Sequence, residues 1–398
     1  MKEVEVKIGV DISMASKPAR GITTYTENIL RGLVGADVPG LKLVLISYLE
    51  AENNTLTNLS GNVECRKIPY PDQSSPLKRI FYEQIVNPLC QVLWDLDVVW
   101  HPHNRFQFLT PVGYVGSLHD VLPLARPDLA GYLTGWQKRL LYLTRTVSAR
   151  NADAIITASR FAAKEIVKYL GVKREKIRVI YSGIDFDIFK PERNEENWER
   201  IRTKYSLPDR YLLTTGSYAP HKNQKILVDA YRGSILPQKG IGFVMVGPND
   251  AGGYRRGYQE INDYVQKLGL SHNIILLPAV PIEDLVTIYN HAEFFATASL
   301  YEGFGFTPLE AMACGIPVVV SNAGALPEVC GEAALYADPN DPASYIFHFN
   351  ELVGNNNLKQ GLVERGKNWV KRFDWRITAK ETLEVFLSIA NKRKKIKK

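Results

Sequence analysis

The chain reads as α/β, with two doubly wound parallel-sheet domains. Three observations predict this. Val4 to Val10 is a first strand, Thr24 to Leu33 an amphipathic helix and Leu41 to Tyr48 a second strand, the opening unit of a parallel sheet. A comparable start follows the polar stretch from Pro191 to Arg202: Tyr211 to Thr215 is a strand, and Gly216 leads on to a helical pattern. A third stretch, Phe294 to Gly315, runs as strand, glycine loop and helix. With 398 residues, 45% of them hydrophobic, the chain is long enough for two or three domains with large cores.

In the first half, Asp11 to Thr23 reads as a loop at the carboxyl edge of the first strand, where open α/β sheets bind ligands. Gly21 lies in it and could let the backbone approach a phosphate; an ordinary turn glycine fits the position equally. Val98 to Trp100 is a strand leading into His101-Pro102-His103. His-x-His suggests zinc, but the third ligand that zinc requires is not nearby. Val112 to Leu118 is another strand with His119 and Asp120 at its carboxyl end, a functional position, although a structural histidine is the competing reading. Trp136, Leu140, Leu143 and Val147 mark an amphipathic helix. Ala154 to Ala158 is a strand, and Ser159 caps a helix from Phe161 to Leu170 that ends at Gly171. Val179 to Asp185 closes the first sheet. The domain boundary is placed at 188/189.

In the second half, Gly216, Ser217, His221 and Lys222 form a strand–glycine–basic pattern entering a helix, which suits a phosphate as well as it suits an exposed loop lysine. Gly242 to Val246 and Ile274 to Leu277 are strands, and Val280 follows the second. In Glu302-Gly303-Phe304-Gly305-Phe306-Thr307, the glycines clear side chains from a helix N-terminus, an anion site by construction. Thr307 reads as the N-cap, Pro308 as the first helical residue and Glu310 as the partner in a capping box. Carboxylates at 302 and 310 repel phosphate and suit hydroxyl donors. Phosphate at the helix end with hydroxyls on carboxylates describes a nucleotide sugar. A capping carboxylate and a plain loop charge remain the alternative for Glu310 and Glu302. Asp374 to Asn391 reads as a final helix.

Glu302-x7-Glu310, with Ala311 to Val319 and Ala323 to Glu328 in register, resembles the retaining glycosyltransferases of family 4. The resemblance implies a GT-B fold, two Rossmann-like domains facing across a cleft: an acceptor-binding domain 1–188, a nucleotide-sugar domain 189–375, and a segment 376–398 whose helix crosses back to the first domain before a basic tail. It implies donor contacts from Gly21, Gly216, Ser217, His221, Val280 and 303–307. Lys222 would hold the diphosphate, Glu302 the sugar, Glu310 the ribose, and His119 the sugar from the opposing domain. His119, Glu302 and Lys222 are the expected catalytic residues. The family commonly has an arginine beside the glycine or the lysine; Ser217 and His221 stand there. The expected reaction moves a hexose from a UDP-sugar such as UDP-glucose to a glycan or lipid-linked oligosaccharide acceptor. GDP-mannose-dependent mannosyl transfer and non-catalytic nucleotide-sugar binding are the alternatives. No metal and no cofactor beyond the co-substrate is expected.

The net charge is +7, and Lys392, Arg393, Lys394, Lys395, Lys397 and Lys398 account for most of it. The rest carries no nucleic-acid footprint, while the tail could meet an anionic membrane or be a solvated end. Four scattered cysteines imply no disulfide framework and fit a reducing cytosol. The first residues do not read as a signal peptide, and no apolar run approaches the ~18 residues of a spanning helix. The expected location is cytoplasmic, peripheral on the inner face of the plasma membrane.

Overall fold

A computed structural model describes residues 5–13, 20–48, 62–68, 81–103, 107–129, 135–248 and 254–396. The chain divides into two compact units, one of Met1–Ala125, Leu133–Gly183 and Phe373–Lys398, the other of Arg126–Tyr132 and Ile184–Arg372. Both are parallel-sheet α/β domains. Val4, much of the expected loop before Thr23, Lys397 and Lys398 lie outside the described residues.

The first unit is built on β1 (Val6–Asp11), β2 (Leu41–Tyr48), β3 (Val63–Ile68), β4 (Val98–His101), β5 (Gly113–Ser117), β6 (Ala154–Thr157) and β7 (Ile177–Val179). Its helices are α1 (Arg20–Gly35), α2 (Asn87–Leu93), α3 (Leu122–Ala125), α4 (Gly135–Asn151) and α5 (Arg160–Leu170). The strand order is β3-β2-β1-β4-β5-β6-β7, parallel throughout. The order reverses between β1 and β4, which opens a ligand crevice at their carboxyl ends. Ile8, Val10, Val98, Val99 and Trp100 are buried, as the central strands of such a sheet must be.

Three expectations for this unit need correction. β3 was not legible, because this edge strand leaves Glu64, Arg66 and Lys67 exposed and carries little apolar signal. The last strand stops at Val179 instead of running to Asp185. There the chain turns to the terminal helix (Trp375–Ile396): the Tyr181 carbonyl accepts a hydrogen bond from Thr378 Oγ1 at 2.7 Å, and a Cβ on Gly183 would lie 2.3 Å from the Trp375 nitrogen. Gly21 is in the first turn of α1, not in a loop.

The terminal helix completes this unit. Phe386 is fully buried with its ring 5.4 Å from Trp100, and Trp375 lies edge-on to Tyr25 at 6.1 Å. Arg393 binds Asp153 at 2.8 Å and Lys394 binds Asp97 at 3.0 Å. Through Ile396 the basic tail is therefore helix, with two of its cations paired to the fold.

The second unit is built on β8 (Tyr211–Thr215), β9 (Gly242–Val246), β10 (Ile274–Leu277), β11 (Phe294–Thr297), β12 (Val318–Ser321) and β13 (Leu335–Ala337). Its helices are α6 (Glu195–Tyr205), α7 (Gln224–Gly233), α8 (Tyr254–Lys267), α9 (Ile282–His291), α10 (Phe306–Ala313), α11 (Leu326–Cys330), α12 (Pro342–Gly354) and α13 (Asn356–Val370). The order β10-β9-β8-β11-β12-β13 is again parallel and reverses between β8 and β11. Its core gathers Leu212, Phe243, Phe294, Tyr231, Tyr345 and Phe349. Burying each such side chain fully contributes ~1.5–3 kcal/mol.

Candidate functional site

The second unit's site forms at the carboxyl ends of β8 and β11, where the strand order reverses. After β8, Gly216 adopts φ 131° and donates its N–H to the Val246 carbonyl at 2.9 Å. Ser217 follows, half-buried, and its carbonyl accepts from Gln224 Nε2 at 3.3 Å. His221 and Lys222 then lie in a 3-10 turn, Pro220–Lys222, and Asn223 at φ 50° separates that turn from α7. The basic pair thus precedes the helix instead of entering it, because the left-handed residue interrupts the helical path. The His221 carbonyl accepts from the Leu300 N–H at 2.7 Å, joining this turn to the segment after β11.

That junction brings Lys222 to Glu302. Lys222 Nζ donates to Glu302 Oε1 at 2.5 Å, and Ser299 Oγ donates to the same oxygen at 2.7 Å. Burial pushes the Glu302 carboxyl up, but Lys222 and His221 together with the Ser299 hydrogen bond outweigh it and hold the group below the usual carboxylate range. Glu302 is therefore ionised at neutral pH and paired with the Lys222 cation.

The loop from 303 to 305 leads into α10. Gly305 at φ 112° precedes the helix, and no side chain caps it. The expected capping box is absent: α10 begins at Phe306, so Thr307 is already helical and Glu310 is its fifth residue. The first-turn N–H groups, including that of Thr307, have no acceptor within the helix. Phe304 and Phe306 meet edge-on at 5.0 Å and shape the loop. Gly305 is required twice, by its backbone angle and because a Cβ would stand 2.6 Å from Leu326 Cδ2.

Freed from capping, Glu310 Oε2 accepts a 3.0 Å hydrogen bond from the Tyr289 hydroxyl, which also meets Thr215 Oγ1 at 2.6 Å. Burial, then the Glu310 charge, raise the Tyr289 phenol well above its ordinary value, so it stays a donor. This links α9, β8 and α10 around one carboxylate. Val280 is buried in the turn between β10 and α9.

The first unit carries a separate polar group at its own strand reversal. His119 follows β5; its Nε2–H donates to the Pro102 carbonyl at 3.0 Å, and Tyr25 stands edge-on to its ring at 4.5 Å. Burial lowers its pKa against the opposing effects of that carbonyl and Asp120, which leaves a neutral ring with Nδ1 as an acceptor. Nearby in the same sheet, His101 bridges Asp11 Oδ2 and Gln107 Oε1, each at 3.0 Å. Gly21 is exposed. Among the described residues no group of three or more His, Cys, Asp or Glu could hold a metal ion.

Sequence reasoning missed Asp11, Thr215, Tyr289 and Ser299, and weighed His101 only as half of a His-x-His metal motif. The signal was present for Asp11, His101 and Thr215: each is a polar residue at the end of a buried strand flanking the strand reversal. Strand order, which gives that position its meaning, is not written in local sequence.

The family described as Glycosyltransferase Family 4 matches residues 19–188, and that described as Glycosyl transferases group 1 matches residues 197–369. The chain is similar to the serotype-specific mannosyltransferase WbdA of Escherichia coli, 28% identical over 285 residues, 70% of this chain and 34% of the relative. It thus spans about a third of that relative's length. It is also similar to the Escherichia coli O-antigen chain mannosyltransferase B, 29% identical over 294 residues, 73% of this chain and 74% of the relative. Among solved structures, HepE of Anabaena in complex with UDP and glucose superposes with TM-score 0.75 at 18% identity, covering 96% of this chain and 100% of that one. Sucrose-phosphate synthase of Thermosynechococcus elongatus superposes with TM-score 0.74 at 18% identity, covering 97% and 99%. At these identities the likeness establishes the GT-B fold alone.

Proposed function

Since the chain belongs to the family 4 glycosyltransferases, we propose that it is a retaining, metal-independent hexosyltransferase. It moves mannose from a nucleotide sugar, GDP-mannose, to a growing glycan or lipid-linked oligosaccharide in polysaccharide synthesis at the inner face of the plasma membrane. The choice of mannose leans on relatives named as mannosyltransferases. A UDP-sugar such as UDP-glucose is the competing donor.

The observation that carries this reading is the Lys222–Glu302 pair in front of α10. Lys222, His221 and the N–H groups at the start of α10 take the diphosphate, with Gly216 and Ser217 shaping the turn beside it. Glu302 accepts from sugar hydroxyls, Glu310 from the ribose, and the backbone near Val280 meets the base. His119 accepts a sugar hydroxyl at Nδ1. The acceptor hydroxyl enters on the face from which the phosphate departs. Its oxygen bonds to the anomeric carbon as the carbon–phosphate oxygen bond breaks, and the leaving phosphate takes its proton. Catalysis is then mainly charge stabilisation and positioning.

Calorimetry tests the assignment. Glu302→Gln frees Lys222 from its carboxylate, so the free nucleoside diphosphate should bind at least as tightly as to the wild type. The intact nucleotide sugar should lose ~1.5–3 kcal/mol, the worth of a charged hydrogen bond. Equal losses for both ligands would overturn the role of Glu302. Running GDP, UDP, GDP-mannose and UDP-glucose in parallel decides the donor, and acceptor-dependent nucleotide release separates transfer from binding alone.

A further inference from the structure

Two helical segments of the first unit have inverted amphipathicity. In the stretch formed by a π-turn, Tyr82–Val86, and α2, the buried side chains include Asn87 and Gln91, while Leu89 and Leu93 are 59% and 80% exposed. In α4 the buried side includes Thr146, Ser148 and Ala149, and Ser148 faces inward to bond the Tyr114 hydroxyl at 3.0 Å. Leu143 and Val147, which the sequence pattern assigns to the packed face, are exposed, as is Tyr142. The two segments are neighbours. Phe108, itself exposed, donates its N–H to Gln84 Oε1 at 2.8 Å and accepts from Asn151 Nδ2 at 3.2 Å, bridging them. Among the described residues, each segment thus exposes apolar side chains, and Phe108 links the two.

Charge identifies what covers these side chains. Lys138, Arg139 and Arg150 lie on α4, which has no acidic residue; Arg145, on the same helix, turns part of its guanidinium inward and is not counted with them. Arg139, Leu143, Val147 and Arg150 follow one another at helical spacing, and all four are exposed. Apolar side chains flanked by arginines on one face suit an interface where tails enter acyl chains and cations meet phosphate headgroups. A second copy fits less well, since a twofold contact would set the same arginines against each other. No helix among the described residues is long and apolar enough to cross a membrane, so the contact is with the surface.

We propose that the face formed by α2, Phe108 and α4 docks this protein on an anionic lipid bilayer, and that the C-terminal basic tail is not its main anchor. Arg393 and Lys394 of that tail are already paired with Asp153 and Asp97. The inference holds for any donor, and its failure leaves the transferase reading intact.

Vesicle flotation tests it with the full chain. Wild type should float with phosphatidylcholine–phosphatidylglycerol vesicles at low salt and bind pure phosphatidylcholine about tenfold more weakly. The Leu143→Glu/Val147→Glu and Leu89→Glu/Leu93→Glu pairs should each lower binding about tenfold or more, with an unchanged melting temperature and unchanged nucleotide binding. If a glutamate pair melts early, the corresponding glutamine pair replaces it. Lys392→Gln/Lys395→Gln should stay within about twofold of wild type. Absence of wild-type binding, helix variants that bind like wild type, or a loss confined to the tail variant would each overturn the proposal. So would sedimentation showing a dimer that the helix variants dissociate and that does not bind vesicles.

Discussion

His119 shows how one side chain's surroundings set its chemistry. An unperturbed imidazole titrates near ~6.5, and burial holds this one lower in the folded chain. The unfolded chain therefore takes up the proton first as pH falls. Stability contributed by the neutral ring is complete above ~6.5, is lost as pH drops toward the folded value, and changes no further below it. Urea unfolding between pH 7 and 5 should show stability falling by at most ~1.4 kcal/mol per pH unit for each such group. His119→Gln should flatten that slope. It should not abolish it, because burial also lowers His291. Carboxylates held low, such as Glu302, add their own loss only at more acid pH. Parallel curves for wild type and His119→Gln would show that the ring does not titrate between the two states.

At the scale of elements, the loop after β12 positions Glu302 by excluding atoms. Gly324 adopts φ 63°, and a Cβ there would stand 2.7 Å from the Glu302 nitrogen and 2.9 Å from its carbonyl oxygen. The Ala325 N–H donates to that carbonyl at 3.0 Å. Gly324→Ala must therefore shift the Glu302 backbone, which cannot yield like a flexible side-chain end. The left-handed angle adds ~1–2 kcal/mol of cost. Nucleotide-sugar affinity should fall at least tenfold and the melting temperature should drop, whereas Gly240→Ala, equally left-handed but with open space around its Cβ, should lose stability only. Unchanged donor affinity in Gly324→Ala would refute the positioning. Much of this architecture was legible beforehand. The strands at 242–246 and 274–277 are continuous apolar runs with clear stops, that at 41–48 is interrupted only by Lys42 and Ser47, and the glycine loop before α10 reads directly. β3 was hidden by its exposed charges, and the other errors arise where a backbone angle or a tertiary partner overrides a local rule. Tyr289 draws Glu310 away from capping, Asn223 breaks the helix after Lys222, and Tyr114 turns Ser148 inward so that Leu143 faces out.

At the scale of the molecule, the first unit is closed by residues almost 400 positions from its first strand. Between them the terminal helix and α1 share a contact so close that a Cβ on Gly32 would lie 2.5 Å from Ala379 Cβ. Thr378 supplies a hydrogen bond to the Tyr181 carbonyl, just past β7, and Phe386 a core ring against Trp100 of β4, both made long before in the chain. Contacts of such sequence separation close last and cost loop entropy that local packing does not repay until they form. Phe386→Ala should therefore cost ~3–5 kcal/mol, and its effect should fall on the first unit. Calorimetric scanning of that variant should show one transition moved to lower temperature. A second transition, stabilised by nucleotide bound to the other unit, should stay in place, because ligand at ~100 times its dissociation constant adds ~2.7 kcal/mol only to the state that binds it. A single transition that shifts as a whole would instead mean that the two units unfold together.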